Sequence, residues 1–525
     1  MTSIRSKHFA STIVVLFIFP SLLFAQNKNL SANLKEIETY AAKAGQDWRV
    51  PGFAMAIVKN DSVVFAKGFG VRELGKPTPV DDRTLFAIAS NSKAFTSAAL
   101  AILVDEGKIK WNDPVTKYLP WFQMYDPWVT REMMVRDLLC HRSGLPTFGG
   151  DLLWYGSTYS REEVVRRIRY LKPTSSFRTQ YGYQNIMFLA AGLVVEAVTG
   201  KSWDDFIKER FFAPLDMTTS NTSIKDFKST DNIATPHNET DGKIKVIHYV
   251  NVDGIGSAGA INSSVSEMAQ WLRLQLGRGT YKGQKIFSAA RSREMWSPQI
   301  MNFVSEQSEK FSPTTHFSGY ALGWGVRDYQ GRKVMSHGGG LDGMISQVAL
   351  MPEENLAIVV LTNSETGLSS FLVNKTFDVF LGVPKRDWSG EALARKKDND
   401  VAQAAAKKKI EDERVLNTKP SLALAQYAGT YGGQMYGEAK VTEENGKLVL
   451  RLVPSPMFVG DLEHWHFDTF RLKWRDSAVY PFPKGFVTFT LDAHAKVDEL
   501  KLDVPNADFD FTELEFKRVP EAETK

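Results

Sequence analysis

Apolar residues follow two different periods along the chain, one helical and one alternating, and their order predicts a body of mixed helices and strands. Apolar positions recur at helical spacing from Leu34 to Trp48. They then alternate with polar positions from Phe53 to Lys59 and from Ser62 to Phe69, on either side of Asn60-Asp61. The folded body is therefore predicted to begin with a helix and a β-hairpin.

A long helical middle follows this hairpin, and strands return only late. The predicted helices are Phe95 to Glu106, Glu162 to Leu171, Ile186 to Thr199, Trp203 to Phe212 and Val265 to Leu276. The late strands are Val334 to His337, Ile345 to Met351 and Leu356 to Thr362. Strands at both ends of a helical middle indicate an α/β (α+β) body, in which one sheet is built from distant segments and a helical lobe is inserted between them.

The pattern changes twice near the C-terminus. Residues 385–420 are rich in Lys, Arg, Ala, Glu and Asp and poor in large apolar residues, which is typical of a solvated, partly helical linker. Residues 421–525 contain short alternating strands, predicted at Gly437 to Glu443, Lys447 to Leu452, Phe486 to Leu491, Val497 to Leu502 and Phe509 to Val519. Asn445-Gly446 between the first two is a strong hairpin signal. We expect a small antiparallel β-barrel or sandwich here.

The N-terminus differs from the rest of the chain. Arg5 precedes an apolar run from Phe9 to Phe24 that ends at Ala25, and residues 1–25 are predicted to be a secretory signal peptide. A retained membrane anchor is the alternative, but the run is short for a span and contains Pro20. The main body is then residues 26–384, and the mature protein is expected in the periplasm or outside the cell, with no stable membrane span. The only cysteine, Cys140, is expected to be buried and excludes an intrachain disulfide.

Composition narrows the classes of function. Hydrophobic residues make up 43% of the 525 residues and charged residues 24%, so most of the chain can pack, as in a globular enzyme. The net charge of +4, from 64 basic and 60 acidic residues, gives no electrostatic footprint for nucleic acid. No Gly-x-Ser-x-Gly occurs, which argues against an α/β-hydrolase. We expect a small-molecule or peptide substrate, no nucleic-acid partner and no cofactor, and the oligomeric state stays open.

The tetrad Ser90-Asn91-Ser92-Lys93 is the main candidate for chemistry. Residues three apart at the start of a helix share a face, so the Lys93 ammonium can reach the Ser90 hydroxyl. A lysine kept neutral by burial can remove the serine proton, and the helix N-terminus favours negative charge on an oxygen beside it. Four residues alone favour a helix cap and a surface lysine, so the assignment depends on the other motifs of the chain.

Further motifs, in order along the chain, resemble the penicillin-binding-protein-like serine hydrolases related to class C β-lactamases and D-aminopeptidases. They are "LFAIASNSKAFTSAALAILVDEGKIKWNDPVTKYLP" (85–120), "LLCHRSGLP" (138–146), Tyr183-Gln184-Asn185, "PLDM" (214–217), "GSAGAINSSVSEMAQWL" (256–272), "YALGWGV" (320–326) and "HGGGLDG" (337–343). The resemblance covers about residues 34–382 and implies an antiparallel sheet flanked by helices. The tail, through "YAGTYGG" (427–433), resembles the lipocalin-like domain appended to many of these hydrolases.

The resemblance implies roles for individual residues. Ser90 is the catalytic nucleophile, Lys93 its partner and Tyr183 a general acid or base, with an anionic form that we expect a nearby lysine ammonium to favour. Asn185 can donate to a substrate carbonyl through its side-chain amide and orient Lys93. We expect all four residues to meet in one cleft.

His337 departs from the family pattern and is a further candidate catalytic residue. It stands where these enzymes usually have a lysine that holds a substrate carboxylate, and histidine is largely neutral at pH 7. Gly339 and Gly340 are predicted to bind substrate by leaving the strand edge open, with the N–H of Gly340 as an oxyanion donor beside that of Ser90. The departure disfavours β-lactamase or carboxypeptidase activity relative to aminopeptidase, amidase or esterase activity.

Three other motifs are expected to have structural roles. His141 is interpreted as part of a turn under the site, and Gly254-x-Gly256-x-x-Gly259 as a substrate-side loop, since no βαβ unit supports a dinucleotide site. His464-x-His466 is not expected to bind a metal, because no third ligand is near in the sequence.

The sequence therefore predicts an exported serine hydrolase that forms an acyl-enzyme on Ser90. Small peptides or amides, including those with D-residues, are the first expectation for its substrate. The alternatives are a carboxylesterase, a β-lactamase and a non-catalytic protein that binds peptidoglycan peptides.

Overall fold

The computed structural model describes residues 19–228, 232–240, 242–475 and 482–520, with side chains from residue 29 onwards. Residues 1–18 of the predicted signal peptide lie outside the described residues, so cleavage and export stay predictions. Within the described part of the chain, no single helix has the length and apolarity of a membrane span. The segments Asn185–Thr199 and Trp203–Phe212 pass that test only as a pair, and they are bent by 80°.

The body is built on one eight-stranded antiparallel sheet with the strand order β2-β1-β14-β13-β12-β11-β10-β9. The strands of the body are β1 Gly52–Lys59, β2 Ser62–Gly70, β3 Phe86–Ala87, β4 His237–Thr240, β5 Lys243–Val246, β6 Asn262–Ser263, β7 Thr280–Tyr281, β8 Gln284–Lys285, β9 Ile300–Asn302, β10 Ser318–Tyr320, β11 Gly325–Tyr329, β12 Arg332–Leu341, β13 Met344–Met351 and β14 Leu356–Thr362. The pairing of β1 with β14 joins the two ends of the body, as the sequence predicts.

Helices cover both faces of this sheet. The helices of the described chain are α1 Phe19–Asp47, α2 Ser92–Asp105, α3 Pro127–Glu132, α4 Arg161–Arg167, α5 Asn185–Thr199, α6 Trp203–Ile207, α7 Gly256–Gly259, α8 Val265–Leu276, α9 Ala289–Met295, α10 Glu306–Phe311, α11 Leu368–Leu381, α12 Trp388–Asp412 and α13 Leu424–Tyr427. Of these, α1 and α11 lie on one face of the sheet and α8 lies on the other. Alternate residues of β1 serve the two faces: Met55 and Ile57 pack in the core formed with α1 and α11, whereas Ala56 and Val58 pack in the core on the side of α2 and α8.

The C-terminal strands close into an eight-stranded antiparallel barrel, as expected. They are β15 Gly429–Gly433, β16 Gly437–Glu444, β17 Lys447–Leu452, β18 Val459–His466, β19 Thr469–Trp474, β20 Gly485–Leu491, β21 Val497–Asp503 and β22 Phe516–Arg518. Asn445 and Gly446, with φ of +52° and +73°, form the predicted hairpin turn between β16 and β17. The charged helix α12 lies between the body and the barrel in the chain.

Three boundaries differ from the sequence predictions. The helix α1 is longer than predicted: it begins at Phe19 and includes the polar residues before Leu34. The strand β12 does not end at His337 but runs through the glycines to Leu341. The predicted strand Phe509 to Val519 is instead a 3-10 turn, Phe511–Glu513, followed by the short β22, because the Asp510 carboxylate accepts the N–H of Thr512 and starts the turn.

Candidate active site

Ser90 lies at the centre of a 3-10 turn, Ala89–Asn91, that leads directly into α2 and is named the Ser90 turn below. Ala89 has a φ of +46°, in the left-handed region that non-glycine residues seldom adopt. Ser346 on β13 holds this conformation, because its hydroxyl donates to the Ile88 carbonyl at 2.6 Å and accepts from Asn91 Nδ2 at 2.7 Å. Ser90 itself is half-buried and lines a cleft, so its hydroxyl is open to substrate.

Gly339 lies against this turn and is not among the described residues that line the cleft, so its contact with substrate stays a prediction. It is buried on β12, and a Cβ there would overlap the Ile88 carbonyl oxygen and Ser346 Oγ and lie 3.0 Å from Ser90 N. Only glycine lets the strand approach the Ser90 turn this closely. Gly338 and Gly340, by contrast, are exposed and line the cleft.

The Lys93 amine makes three short contacts. Its Nζ lies 2.9 Å from Ser90 Oγ, 2.7 Å from Asn185 Oδ1 and 2.9 Å from the Ala258 carbonyl oxygen. The amide and carbonyl oxygens can only accept, so they take two N–H bonds. An ammonium would donate to all three oxygens, whereas a neutral amine, with two N–H groups and one lone pair, would have its lone pair left for the Ser90 hydroxyl. A neutral Lys93 could therefore take the serine proton.

The surroundings of Lys93 favour this neutral form. Its side chain is fully buried, and burial lowers the pKa of Lys93 to about 7, although the nearby Asp151 carboxylate acts in the opposite direction. Asp151 is also buried, and burial raises the pKa of its carboxyl to about 7. Its Oδ2 accepts from Asn185 Nδ2 at 2.6 Å, which orients the amide so that Oδ1 faces Lys93.

Tyr183 is beside Ser90 and Lys93, but its electrostatics differ from the expectation. Lys93 Nζ lies 4.8 Å from the centre of the Tyr183 ring, over its face. Burial raises the pKa of Tyr183 well above its usual range, and hydrogen bonding with the Ser90 hydroxyl opposes this only in part. The expected stabilisation of a phenolate by the lysine is therefore wrong. Tyr183 stays a neutral hydroxyl that can donate or accept a proton while Lys93 is the group that titrates near pH 7.

His337 also lines the cleft in a neutral form. Its Nδ1 lies 2.5 Å from the Gly338 carbonyl oxygen, which can only accept, so Nδ1 carries the proton and Nε2 accepts from the Tyr320 hydroxyl at 2.7 Å. Burial, and to a lesser extent Lys93, lowers the pKa of His337 to about 3. The position that usually carries a lysine in the resembling enzymes therefore adds no positive charge to this cleft.

The cleft has a volume of about 620 Å³ and brings together most of the predicted site residues. Ser90, Tyr183, Asn185, His337 and Gly340 all line it. His141 lies beneath the site, as expected: its ring centre is 4.1 Å from that of Tyr183, and its Nδ1 accepts the Gln184 N–H at 2.9 Å.

One wall of the cleft is acidic. Asp342 follows Gly340 in the β12–β13 hairpin, Glu365 follows β14, and Asp508 comes from the barrel. Burial raises the pKa of all three carboxyls, that of Asp342 to about 7, and repulsion by neighbouring carboxylates adds to the shift of Asp342 and Glu365. Arg327 is the one arginine or lysine among the described residues that line the cleft, and its guanidinium donates to Asn374 Oδ1 at 3.1 Å. The wall therefore places three carboxyl groups in the cleft whose ionised forms a cation beside them would favour.

The remaining motifs lie elsewhere or act indirectly. The glycines at 254–259 form a 3-10 turn and α7, whose Ala258 carbonyl accepts from Lys93. In the barrel, His464 Nε2 contacts the Phe467 carbonyl at 3.0 Å and His466 Nδ1 accepts from the Val415 N–H at 3.3 Å. Among the residues that the structure describes, no group of three or more His, Cys, Asp or Glu side chains is placed to hold a metal ion.

The sequence analysis missed several residues of the site. Asp151, Ala258 and Tyr320 hold the catalytic groups, and Asp342, Glu365 and Asp508 form the acidic wall. Tyr320 and Asp342 stand in quoted motifs, so position in those blocks could have indicated them. Asp151 and Asp508 carry no motif, and only the folded chain brings them to the cleft.

Comparisons with known proteins agree with this geometry. Residues 37–381 match the family model described as Beta-lactamase, and residues 413–518 match a domain of unknown function, DUF3471. The likeness of the barrel to lipocalins stays a prediction. An unguisins hydrolase of Aspergillus campestris is 30% identical over 422 residues, which span 75% of each chain.

Two solved structures show the same fold. An octameric penicillin-binding protein homologue from Pyrococcus abyssi superposes with a TM-score of 0.61 at 20% identity, over 92% of this chain and 100% of that one. A D-amino acid amidase from Ochrobactrum anthropi, complexed with L-phenylalanine amide, superposes with a TM-score of 0.53 at 23% identity, over 66% of this chain and 98% of that one.

Proposed function

Because the chain belongs to the beta-lactamase family and is a serine hydrolase, we propose that it hydrolyses small amides and peptides whose acyl residue carries a free ammonium group. The observation that carries this proposal is the acidic wall of Asp342, Glu365 and Asp508 in the cleft of Ser90. An ammonium group would neutralise these carboxylates, whereas a substrate carboxylate would be repelled by them.

The proposed reaction starts at Ser90. Neutral Lys93 takes the hydroxyl proton while Ser90 Oγ attacks the amide carbonyl carbon, and the backbone N–H groups of Ser90 and Gly340 hold the oxyanion. The proton passes through the Tyr183 hydroxyl to the leaving nitrogen, and the C–N bond breaks to give an acyl-enzyme. Water, deprotonated by the same groups, then attacks the ester and releases the acid and Ser90.

The neutral state of His337 separates this proposal from the β-lactamase alternative. No lysine stands there to hold the carboxylate of a β-lactam, and the Arg327 guanidinium is engaged with Asn374. A carboxylesterase needs the same nucleophile but no acidic wall.

We further propose that residues 1–25 are removed on export to the periplasm or cell exterior, and that residues 26–384, 385–420 and 421–525 are body, linker and barrel.

The test compares p-nitroanilides of D- and L-alanine with their N-acetyl forms, which lack the ammonium group. The free-amine substrates are expected to have at least about tenfold higher kcat/KM, equivalent to ~1.4 kcal/mol. Asp342→Asn and Asp508→Asn should reduce this preference, whereas Asp498→Asn, on an exposed position of β21, should not. Hydrolysis of p-nitrophenyl acetate or nitrocefin in place of any anilide would instead favour the esterase or β-lactamase alternative, and binding of peptidoglycan peptides without turnover would favour the binding protein.

A further inference from the structure

The barrel packs directly on the part of the helical lobe that forms one side of the cleft. This docking segment, residues 150–159, joins the barrel through backbone and side-chain contacts. The Thr158 N–H donates to the Pro454 carbonyl at 2.9 Å, and the Tyr159 hydroxyl donates to the Tyr436 carbonyl at 2.6 Å. The rings of Tyr155 and Phe509 pack with their centres 4.5 Å apart. The conformation of the docking segment therefore depends on the barrel.

Glu513 of the barrel contacts the residue that precedes Asp151 in the docking segment. Both of its carboxylate oxygens accept the Gly150 N–H, at 2.9 Å and 3.0 Å. Gly150 has a φ of +80° and precedes the 3-10 turn Asp151–Leu153, so its conformation sets the direction in which that turn begins. Asp151 is the first residue of the turn and 2% exposed.

From Asp151 the contacts lead to the catalytic lysine in two steps. Asp151 Oδ2 accepts from Asn185 Nδ2, and Asn185 Oδ1 accepts from Lys93 Nζ. An amide has its donor and acceptor on opposite branches, so rotating it by half a turn would place Nδ2 against the Lys93 amine and break both bonds. The carboxylate of Asp151 fixes which orientation the amide adopts.

We propose that Glu513 of the barrel is a positioning residue for the catalytic lysine, which it aligns on Ser90 through Gly150, Asp151 and the side-chain amide of Asn185. The barrel is then a working part of the hydrolase site. This inference rests on the Ser90–Lys93 pair of the proposed function, but it does not depend on which substrate that pair attacks.

The charged groups along this route make the pH dependence of activity a test of the proposal, because a residue that only stabilised the fold would not change it. Burial raises the pKa of the Glu513 carboxyl to about 8, with Asp151 and Asp510 acting in the same direction and the Gly150 N–H in the opposite one. Around Asp151, the charged neighbours are Lys93, which lowers its pKa, and Asp508, which raises it. Asp151 in turn raises the pKa of Lys93.

Neutral substitutions at the two carboxyl groups should therefore affect the pH profile differently. Asp151→Asn removes the charge that favours the Lys93 ammonium, so the acid limb of activity moves to lower pH. Glu513→Gln leaves the acid limb in place, because the Glu513 carboxyl, with its pKa raised to about 8, is already largely neutral below that pH.

The experiment measures the rate of Ser90 phosphonylation by a fluorescent fluorophosphonate in the full-length protein. Glu513→Ala and Asp151→Ala are each expected to lower this rate by about tenfold to 10²-fold, because the base is misplaced. The double variant should label no more slowly than the slower of the two single variants, since both residues act through one route. Glu513→Gln, which can still accept from Gly150, should recover most of the rate. Glu515→Ala is the matched control, because this exposed barrel carboxylate pairs with Lys172 of the lobe at 3.1 Å.

Labelling of Glu513→Ala at the same rate as Glu515→Ala would overturn the proposal, as would additive losses in the double variant. Thermal unfolding identifies any alanine variant that fails to fold, and the acid limbs of Asp151→Asn and Glu513→Gln then take its place as the readout. An acid limb that does not move in Asp151→Asn, or that moves equally in both variants, would also overturn the proposal. If the wild-type protein is not labelled at Ser90, both the proposed function and this inference are contradicted. If the wild-type protein is labelled and Glu513→Ala is labelled at the same rate, only this inference is contradicted.

Discussion

At the scale of single residues, the proposed mechanism depends on a lysine that loses its charge near neutral pH. When this buried amine is neutral and donates to its two fixed acceptors, its lone pair is left for the Ser90 hydroxyl. Tyr183 cannot take the role of the base near neutral pH, because burial raises its pKa. Burial lowers the pKa of an amine and raises that of a phenol. Lys93, and not Tyr183, is therefore the group whose protonation changes near pH 7.

The pH dependence of Ser90 acylation follows from this titration of Lys93. Because the pKa of Lys93 is lowered to about 7, the phosphonylation rate should rise about tenfold per pH unit below that value and level off above it. The rate is measured with a fluorophosphonate between about pH 5 and about pH 9. Lys93→Arg, whose guanidinium stays protonated, should lose about 10²- to 10⁴-fold at every pH. A limb near the usual pKa of lysine, or no limb, would contradict a neutral base.

The sequence predicts which residues carry the chemistry, but it predicts the environment of those residues less well. Ser90 and Lys93 are predictable because residues three apart at a helix start share a face. Asp151 is not, since it lies far from Lys93 in the chain and meets it only through Asn185. The pKa direction of Tyr183 was wrong because burial, which the sequence does not give, outweighs the neighbouring charge.

At the scale of elements, the contact between β12 and the Ser90 turn sets the nucleophile in place. The sequence indicates a strand that ends at His337, because glycines usually weaken strands. The strand continues because Gly339 is the position where it crosses closest to the turn. A pattern of side chains cannot show this, since the deciding feature is the absence of a side chain.

Adding one methyl group at this crossing tests its importance. Gly339→Ala should lower the free energy of unfolding by about 1–3 kcal/mol and slow Ser90 labelling, because the Cβ would overlap Ile88 O and Ser346 Oγ. Gly338→Ala is the control for stability: its nearest atom is the flexible Gln347 Oε1 at 3.1 Å, and a change within about 0.5 kcal/mol is expected. Equal losses in urea unfolding would show that the crossing imposes no special constraint.

At the scale of the whole molecule, the sequence indicates both parts of the chain but not their relation. A sheet built from distant segments, an inserted helical lobe and a C-terminal antiparallel β-domain follow from apolar periodicity and family resemblance, whereas the strand order and the closure of the barrel are given by the structure. The positions of Asp508 in the cleft and of Glu513 against Gly150 do not follow from the sequence: Glu513 lies in a short turn that the sequence pattern misassigned as a strand, and Asp508 lies just before that predicted strand. In this protein, the barrel supplies part of the wall that a substrate meets.

The central claim is that Ser90 is an activated nucleophile in this cleft, and mass spectrometry of the protein after treatment with a fluorescent fluorophosphonate tests it most directly. The account predicts one adduct on the peptide that contains Ser90, lost in Ser90→Ala and after denaturation. The adduct should be retained in Ser92→Ala, since Ser92 Oγ is turned away to accept the Ile261 N–H at 3.1 Å. No adduct on the folded protein, or an adduct that survives Ser90→Ala, would contradict the account.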